Sequence, residues 1–403
     1  PNGVDVVIPD GKTVRFDSGS NVSVNSIANE GTGSILISKG TLNVATDFSL
    51  AGFTQSGGAI NVTNNFNVTN YFNQTSGTIS ANGTISIVHQ RMDNLVINQL
   101  SGTGIILGSD SGITINGSIN SSKQSSGNLS ITASGDVTEG EGSSITANTL
   151  TASLSGTTSS LSFNSSTNTI TNLGAISAPG GFSFNDGNTN LVIKGLLAAG
   201  TSTVTLTSTG SVSEEIEAGS IVTSGLRLLG SGGSYNLRST NNAITTLAAN
   251  TGSVTYIDTN GIIIGTVGET IGLTTTGILS LRSMSDGVSG VENISAASVV
   301  VEQGGNSAYS GAITTISSSL RKLGSGTLIL SGSNRYTGKT TINSGILRLG
   351  NTNVLADTST IEVAGGIFDI ATYSDTVGAV TVSAGDITGT TGILTASSYS
   401  ITN

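Results

Sequence analysis

The feature that most constrains this chain is that it repeats itself at a short, nearly constant interval. Phe53-Thr54-Gln55-Ser56-Gly57-Gly58-Ala59-Ile60 is followed 19 positions later by Phe72-Asn73-Gln74-Thr75-Ser76-Gly77-Thr78-Ile79, with Phe, Gln, Gly and Ile recurring. One step earlier, Leu42-Asn43-Val44 and Phe48-Ser49-Leu50 return as Ile60-Asn61-Val62 and Phe66-Asn67-Val68 with a shift of 18. Each phrase alternates apolar and polar residues, the pattern of a strand with one buried face. A period near 19 residues holding two or three such triplets is the spacing of one solenoid coil. Such a coil cannot bury its apolar side alone and does so by stacking on its neighbours.

A longer repeat overlies the middle of the chain. Leu129-Ser130-Ile131 and Gly135-Asp136-Val137-Thr138-Glu139 recur 75 positions on as Val204-Thr205-Leu206 and Gly210-Ser211-Val212-Ser213-Glu214, and a further 75 on stands Leu279-Ser280-Leu281. Asn168-Thr169-Ile170-Thr171-Asn172-Leu173 returns as Asn242-Ala243-Ile244-Thr245-Thr246-Leu247, and again as Ala312-Ile313-Thr314-Thr315-Ile316. A unit of that length holds roughly three to four coils of ~20–25 residues.

Composition separates this reading from its competitors. Charged residues make up 9 % of the 403 positions, far below the usual quarter of a soluble protein, and there are 56 Gly but only 3 Pro. Low charge can mean disorder, but disordered chains lack β-branched apolar residues, which recur here from Val4 to Ile401. No sustained helical periodicity is present, and no apolar run reaches the ~18–20 residues needed to span a bilayer. Propeller blades repeat at ~40–50 residues with aromatic signatures absent here. The expected fold is therefore all-β, a right-handed single-stranded parallel β-helix (β-solenoid) of roughly 18–20 coils. It is expected to run continuously over 1–403, with short ~19-residue coils in 1–125, the ~75-residue super-repeats in 126–319 and a distinct segment in 320–403.

Charge and cysteine content narrow the partners. With 24 acidic and 14 basic residues the formal net charge is −10, which argues against nucleic acid, since phosphate binding needs a basic stripe. The chain has no Cys and opens Pro1-Asn2-Gly3 without a signal-like segment, so it reads as a mature or internal piece. His89 is the single histidine, in His89-Gln90-Arg91-Met92-Asp93. One His without Cys cannot make a typical zinc site, and this His is expected at the surface or in a loop. Glu139/Glu141 and Glu214, Glu215 and Glu217 are the acidic clusters. A carbohydrate enzyme would need paired carboxylates converging in a groove, but these acids occupy matching places of the 75-residue repeat and read as one recurring turn. Asp10-Gly11, Asp186-Gly187 and Asp286-Gly287 read as turns rather than calcium loops. Asn-x-Ser/Thr sequons stand at Asn21, Asn61, Asn67, Asn73, Asn82, Asn116, Asn120, Asn128, Asn164 and Asn293, either glycan acceptors or rungs of stacked Asn ladders. No catalytic centre, cofactor or metal site is expected.

Residues 320–350 read LRKLGSGTLILSGSNRYTGKTTINSGILRLG. Gly324, Gly326, Leu328, Gly332, Asn334, Tyr336, Gly338, Thr340, Gly345, Leu347 and Gly350 give this stretch a close resemblance to the passenger-associated transport repeat of bacterial autotransporters, and Tyr336 reads as a corner residue packing on the adjacent coil. Residues 129–320 more loosely resemble filamentous-haemagglutinin-type exoproteins through the Asn-Ala-Ile-Thr-Thr-Leu phrase. The resemblance implies a large exported protein at the bacterial cell surface, serving adhesion, attachment or biofilm formation, with a host-surface or glycan receptor as partner. Neither a secretion domain nor a translocator barrel is recognisable here, so both lie outside this chain or were removed, or the export route differs. A second reading is a self-polymerising filament or sheath subunit. The strand-like start Val4-Asp5-Val6-Val7-Ile8 and the unfinished last coil Ser398-Tyr399-Ser400-Ile401-Thr402-Asn403 leave edges open to end-to-end association.

Overall fold

The computed structural model describes residues 3–121, 127–187 and 189–402. The boundary expected at 125/126, the opening Pro1-Asn2 and the closing Asn403 lie outside the described residues. The chain divides into two compact units, Pro1–Gly200 and Thr201–Asn403. Among the described residues there is no helix, and mostly parallel strands stack as a β-solenoid of about 19 turns.

In the Pro1–Gly200 unit the alternation seen in the sequence becomes an inside and an outside. Thr84–His89 buries Ile85, Ile87 and His89 and turns Thr84, Ser86 and Val88 outward. Equivalent inward residues then stack from coil to coil in parallel register. Phe48 pairs with Phe66, Phe66 with Ile85, Ile85 with Ile105, Ile105 with Leu129, Leu129 with Leu150, Leu150 with Leu173 and Leu173 with Ile193. All eight side chains of that column are fully buried. The steps are 18, 19 and 20 residues at first and then 24, 21, 23 and 20, so the coils widen where the long repeat begins. Four phenylalanines add a second order of packing. Phe48 stacks on Phe66 at 4.5 Å and Phe53 on Phe72 at 5.2 Å, and the two stacks meet edge to face.

The Thr201–Asn403 unit is built the same way. One inward column runs Val212, Tyr235, Val254, Leu279, Val299, Leu320, Thr340, Ile361 and Val380. It gives the long repeat its structural meaning. By sequence Leu279 is the counterpart of Val204, yet three turns separate it from Val212, eight residues further along. The 75-residue repeat is thus three turns plus one further strand, and a copy begins one face round from the copy before it.

One element has no counterpart in the sequence reading. Thr266–Val267 pairs antiparallel with Thr270–Ile271, a short hairpin in an otherwise parallel stack. It folds over the outer face of the coils. Val267 covers Gly225, and Arg227 Nε donates to Thr270 Oγ1 at 2.7 Å.

Candidate functional site

The residues singled out in 320–350 come together as a packing arrangement. Leu320, Leu328, Thr340 and Leu347 point inward and are buried, on the strands Leu320–Leu323, Thr327–Leu330, Thr340–Ile342 and Ile346–Leu349. Gly324 holds φ 77° and Gly345 φ 66°, conformations that a side chain disfavours. At Gly326, Gly332 and Gly338 the constraint is space, because a Cβ would fall on the carbonyl oxygens of Gly305, Gly311 and Ser318 in the coil before. At Gly350 it would collide with Ser331 Oγ.

Asn334 and Tyr336 are the polar members of the set. Asn334 Oδ1 accepts the Ile313 N–H at 2.8 Å, and its Nδ2 donates to the Gly332 and Val354 carbonyls at 3.0 and 3.1 Å. One side chain therefore bonds to the coil before and the coil after. Tyr336 is fully buried beside the core column and its hydroxyl shares a 2.7 Å hydrogen bond with Thr340 Oγ1. Burial raises the Tyr336 phenol above its ordinary range, and the Asp375 charge adds to the effect. None of these side chains offers a group to solvent.

Lys322 is the residue that sequence reading missed. It shares the inward parity of Leu320 in Leu320–Leu323 and is fully buried. Its Nζ donates to the carbonyls of Leu323 and Gly324 at 2.7 and 3.0 Å and of Ser344 at 3.4 Å, clasping two successive corners. Burial pushes its ammonium down to about 8, and the Glu302 carboxylate pulls the other way. The available signal was its parity, since a Lys two residues from an inward Leu on a strand must itself point inward. Lys339 and Arg348 instead face outward and reach acids of the following coil. Lys339 Nζ lies 3.1 Å from Glu362 and Arg348 Nε 2.6 Å from Asp369.

His89 corrects the surface assignment. It is 1 % exposed, at the inward end of Thr84–His89. Its Nδ1 accepts the Phe72 N–H at 3.3 Å, which leaves Nε2 to carry the proton toward Asp93 at 3.3 Å. Tyr71 lies against the ring, with Arg91 over the tyrosine face. Ser109 pairs directly beside His89, but its hydroxyl donates to the Gly112 carbonyl. With Nδ1 occupied by a backbone donor, the imidazole holds a corner and has no free base to offer a nucleophile. The surface expectation failed because the strand's alternation continues through His89.

The repeated acids have a shared task. Glu139 Oε2 accepts the Ser165 N–H at 2.9 Å and Asn168 Nδ2 at 3.0 Å. Glu214 Oε2 accepts the Ser239 N–H at 2.6 Å and Asn242 Nδ2 at 3.2 Å. Asn168 and Asn242 then accept the Ile145 and Ile221 N–H groups. Glu141, Glu215 and Glu217 are exposed, and Glu217 sits at φ 68° in the turn. Asp10-Gly11 and Asp186-Gly187 are turns with left-handed glycines. Of the sequon asparagines, Asn67 and Asn73 are half-buried and the rest exposed. Asn61 donates to Asn43 and Asn67 to Ser49, rungs of the ladder expected for stacked Asn. Among the described residues no three acidic or His side chains are grouped to hold a metal ion.

The geometry defines a class, a parallel β-solenoid whose buried polar groups fasten one coil to the next. Residues 320–349 match the family model described as Passenger-associated-transport-repeat, which bears out the resemblance read from the sequence. The repeat and the solenoid together fit the passenger domain of an autotransporter. No curated protein and no solved structure matches the chain.

Proposed function

We propose that this chain is the structural and adhesive part of an exported bacterial surface protein: a stalk that presents its outer faces to a host surface or glycan and carries out no catalysis. The observation that supports this most is the passenger-associated transport repeat set within a stack whose conspicuous polar side chains are turned inward to hold coils together. What remains outside is a succession of Ser, Thr and Asn rungs, such as Ser23, Asn43, Asn61 and Ser80, repeated coil after coil. A surface of that kind suits many weak, identical contacts, which gain strength through multivalency. The test is binding of purified chain to cells and to a panel of surface glycans, together with electron microscopy of the same material. Saturable binding supports the adhesive stalk. Periodic filaments without binding would replace it by the polymer reading, and cleavage of any polysaccharide tested would overturn the non-catalytic part.

A further inference from the structure

The Thr201–Asn403 unit places three carboxyl groups at its corners, and they are not bonded alike. Asp258 is satisfied on both oxygens. Oδ1 accepts the Asn260 N–H at 2.7 Å, and Oδ2 accepts the Ile244 N–H at 3.0 Å and the Tyr256 hydroxyl at 2.8 Å. Glu214 receives its two donors on Oε2, and its Oε1 is buried without a hydrogen-bond partner. Asp375 takes the Val354 and Leu355 N–H groups on Oδ2 at 2.9 and 3.0 Å, and its Oδ1 is likewise buried without a partner.

A buried carboxylate oxygen with no donor is an unfavourable place for negative charge, and a proton removes the problem. Glu214 lines a cleft of about 290 Å³ together with Glu215, Glu217 and Arg238. Tyr256, packed on the Asp258 corner, also feels the Glu214 charge. Asp375 faces Asp357 and Tyr336.

We propose that Glu214 is a proton-uptake group that makes the Thr201–Asn403 unit tighten when a neutral medium turns mildly acid. On protonation the orphaned oxygen becomes an O–H that can donate into the cleft, while the other oxygen keeps its backbone donors. Burial, the leading cause, raises Glu214 to about 7 against its ordinary 4.5. The folded state therefore holds more protons than the unfolded chain between those values. Stability rises as pH falls from about 7 toward about 4.5 and levels off below. This direction is opposite to the usual acid lability of carboxylates that are fully hydrogen-bonded in the folded state.

The test is amide hydrogen exchange of the full chain, read by mass spectrometry on peptides covering 211–240 and corrected for the intrinsic rate. On going from about pH 7.5 to about pH 5.5 the wild type should gain roughly tenfold in protection there. Glu214→Gln should show no gain in those peptides, whereas Glu139→Gln in the other unit should leave the gain intact. A second readout needs no variant: the infrared band of a buried carboxylic acid should grow in the wild type over the same pH interval. Wild-type protection that is flat or falls, a gain that persists in Glu214→Gln, or the absence of that band would overturn the proposal.

Discussion

Truncating Phe66 tests the central claim that each coil is held by its neighbours. The ring is fully buried, lies parallel to Phe48 at 4.5 Å, and meets Phe53 and Phe72 edge to face at 5.4 and 6.5 Å. Phe66→Ala removes the transfer free energy of the ring and leaves a cavity, which costs about 3–5 kcal/mol in a closed core. The lost ring pairs add about 0.5–1.5 kcal/mol beyond area alone. The neighbours that would have to collapse into the space are backbone-fixed strands of a parallel ladder, so little relaxation is available and the sum should approach about 5 kcal/mol. In a stack with nearest-neighbour coupling that loss stays local. Hydrogen exchange should therefore speed by about a thousandfold or more in peptides within 41–90, with peptides within 320–350 unchanged. Phe66→Leu, which restores most of the volume, should recover the larger part of the protection. A local loss below tenfold, or an equal loss in 320–350, would refute the nearest-neighbour account.

Three further outcomes follow from the 320–350 corners. Lys322 has a folded-state value of about 8, below the ~10.5 of the free side chain, so the unfolded chain binds the extra proton between them. Urea stability of the Thr201–Asn403 unit should rise with pH across that window, by at most about 3 kcal/mol, and Lys322→Met should abolish the rise. Asn334→Ala strands the buried Ile313 N–H and should cost about 1–3 kcal/mol, read as faster exchange at Ile313. Gly326→Ala puts a methyl group on the Gly305 carbonyl and should lower the melting temperature, whereas Gly142→Ala, with no atom near its would-be Cβ, carries only the cost of a left-handed Ala, about 1 kcal/mol.

The sequence displayed the fold in its alternation and its period, because both are set locally. Phe48, Phe66 and Ile85 announce one column by spacing alone, and the stack obeys it. What the spacing could not display was phase. Val204 and Leu279 look equivalent, but whether 75 residues close on a whole number of turns depends on how much backbone each corner uses. That is decided by close backbone approaches at the corners between them, such as Gly230 and Gly233 against the Ser208 carbonyl. The antiparallel hairpin at Thr266–Ile271 was hidden for a related reason. Two-residue strands carry too little alternation to be seen, and the hairpin is held by Gly225 and by Arg227, some forty residues away. His89 and Lys322 were misplaced or overlooked because residue type was weighed above strand parity. At both positions parity prevailed, and a backbone partner made the burial tolerable.

Those buried polar residues resolve a difficulty that any chain of near-identical coils must meet. A parallel pair of strands reading Ile-x-Ile against Leu-x-Leu is nearly as well packed after a slip of two residues, since the faces stay the same. Apolar columns alone therefore fix which face is inside and leave the register weakly chosen. Gln74 accepting from the Asn98 and Gln99 amides, Asn242 from Ile221, Lys322 donating to Ser344 and Asp375 accepting from Val354 and Leu355 are different in kind. Each would lose its partners on a two-residue slip and be left buried and unsatisfied, at about 1–3 kcal/mol or more per group. They occur at corners because only there does the backbone leave carbonyls and amides outside the ladder. The buried polar groups of this protein thus stand where they select one stacking among many. The rungs between corners are free to repeat as plain Ser, Thr and Asn, the surface on which any attachment by this chain must depend.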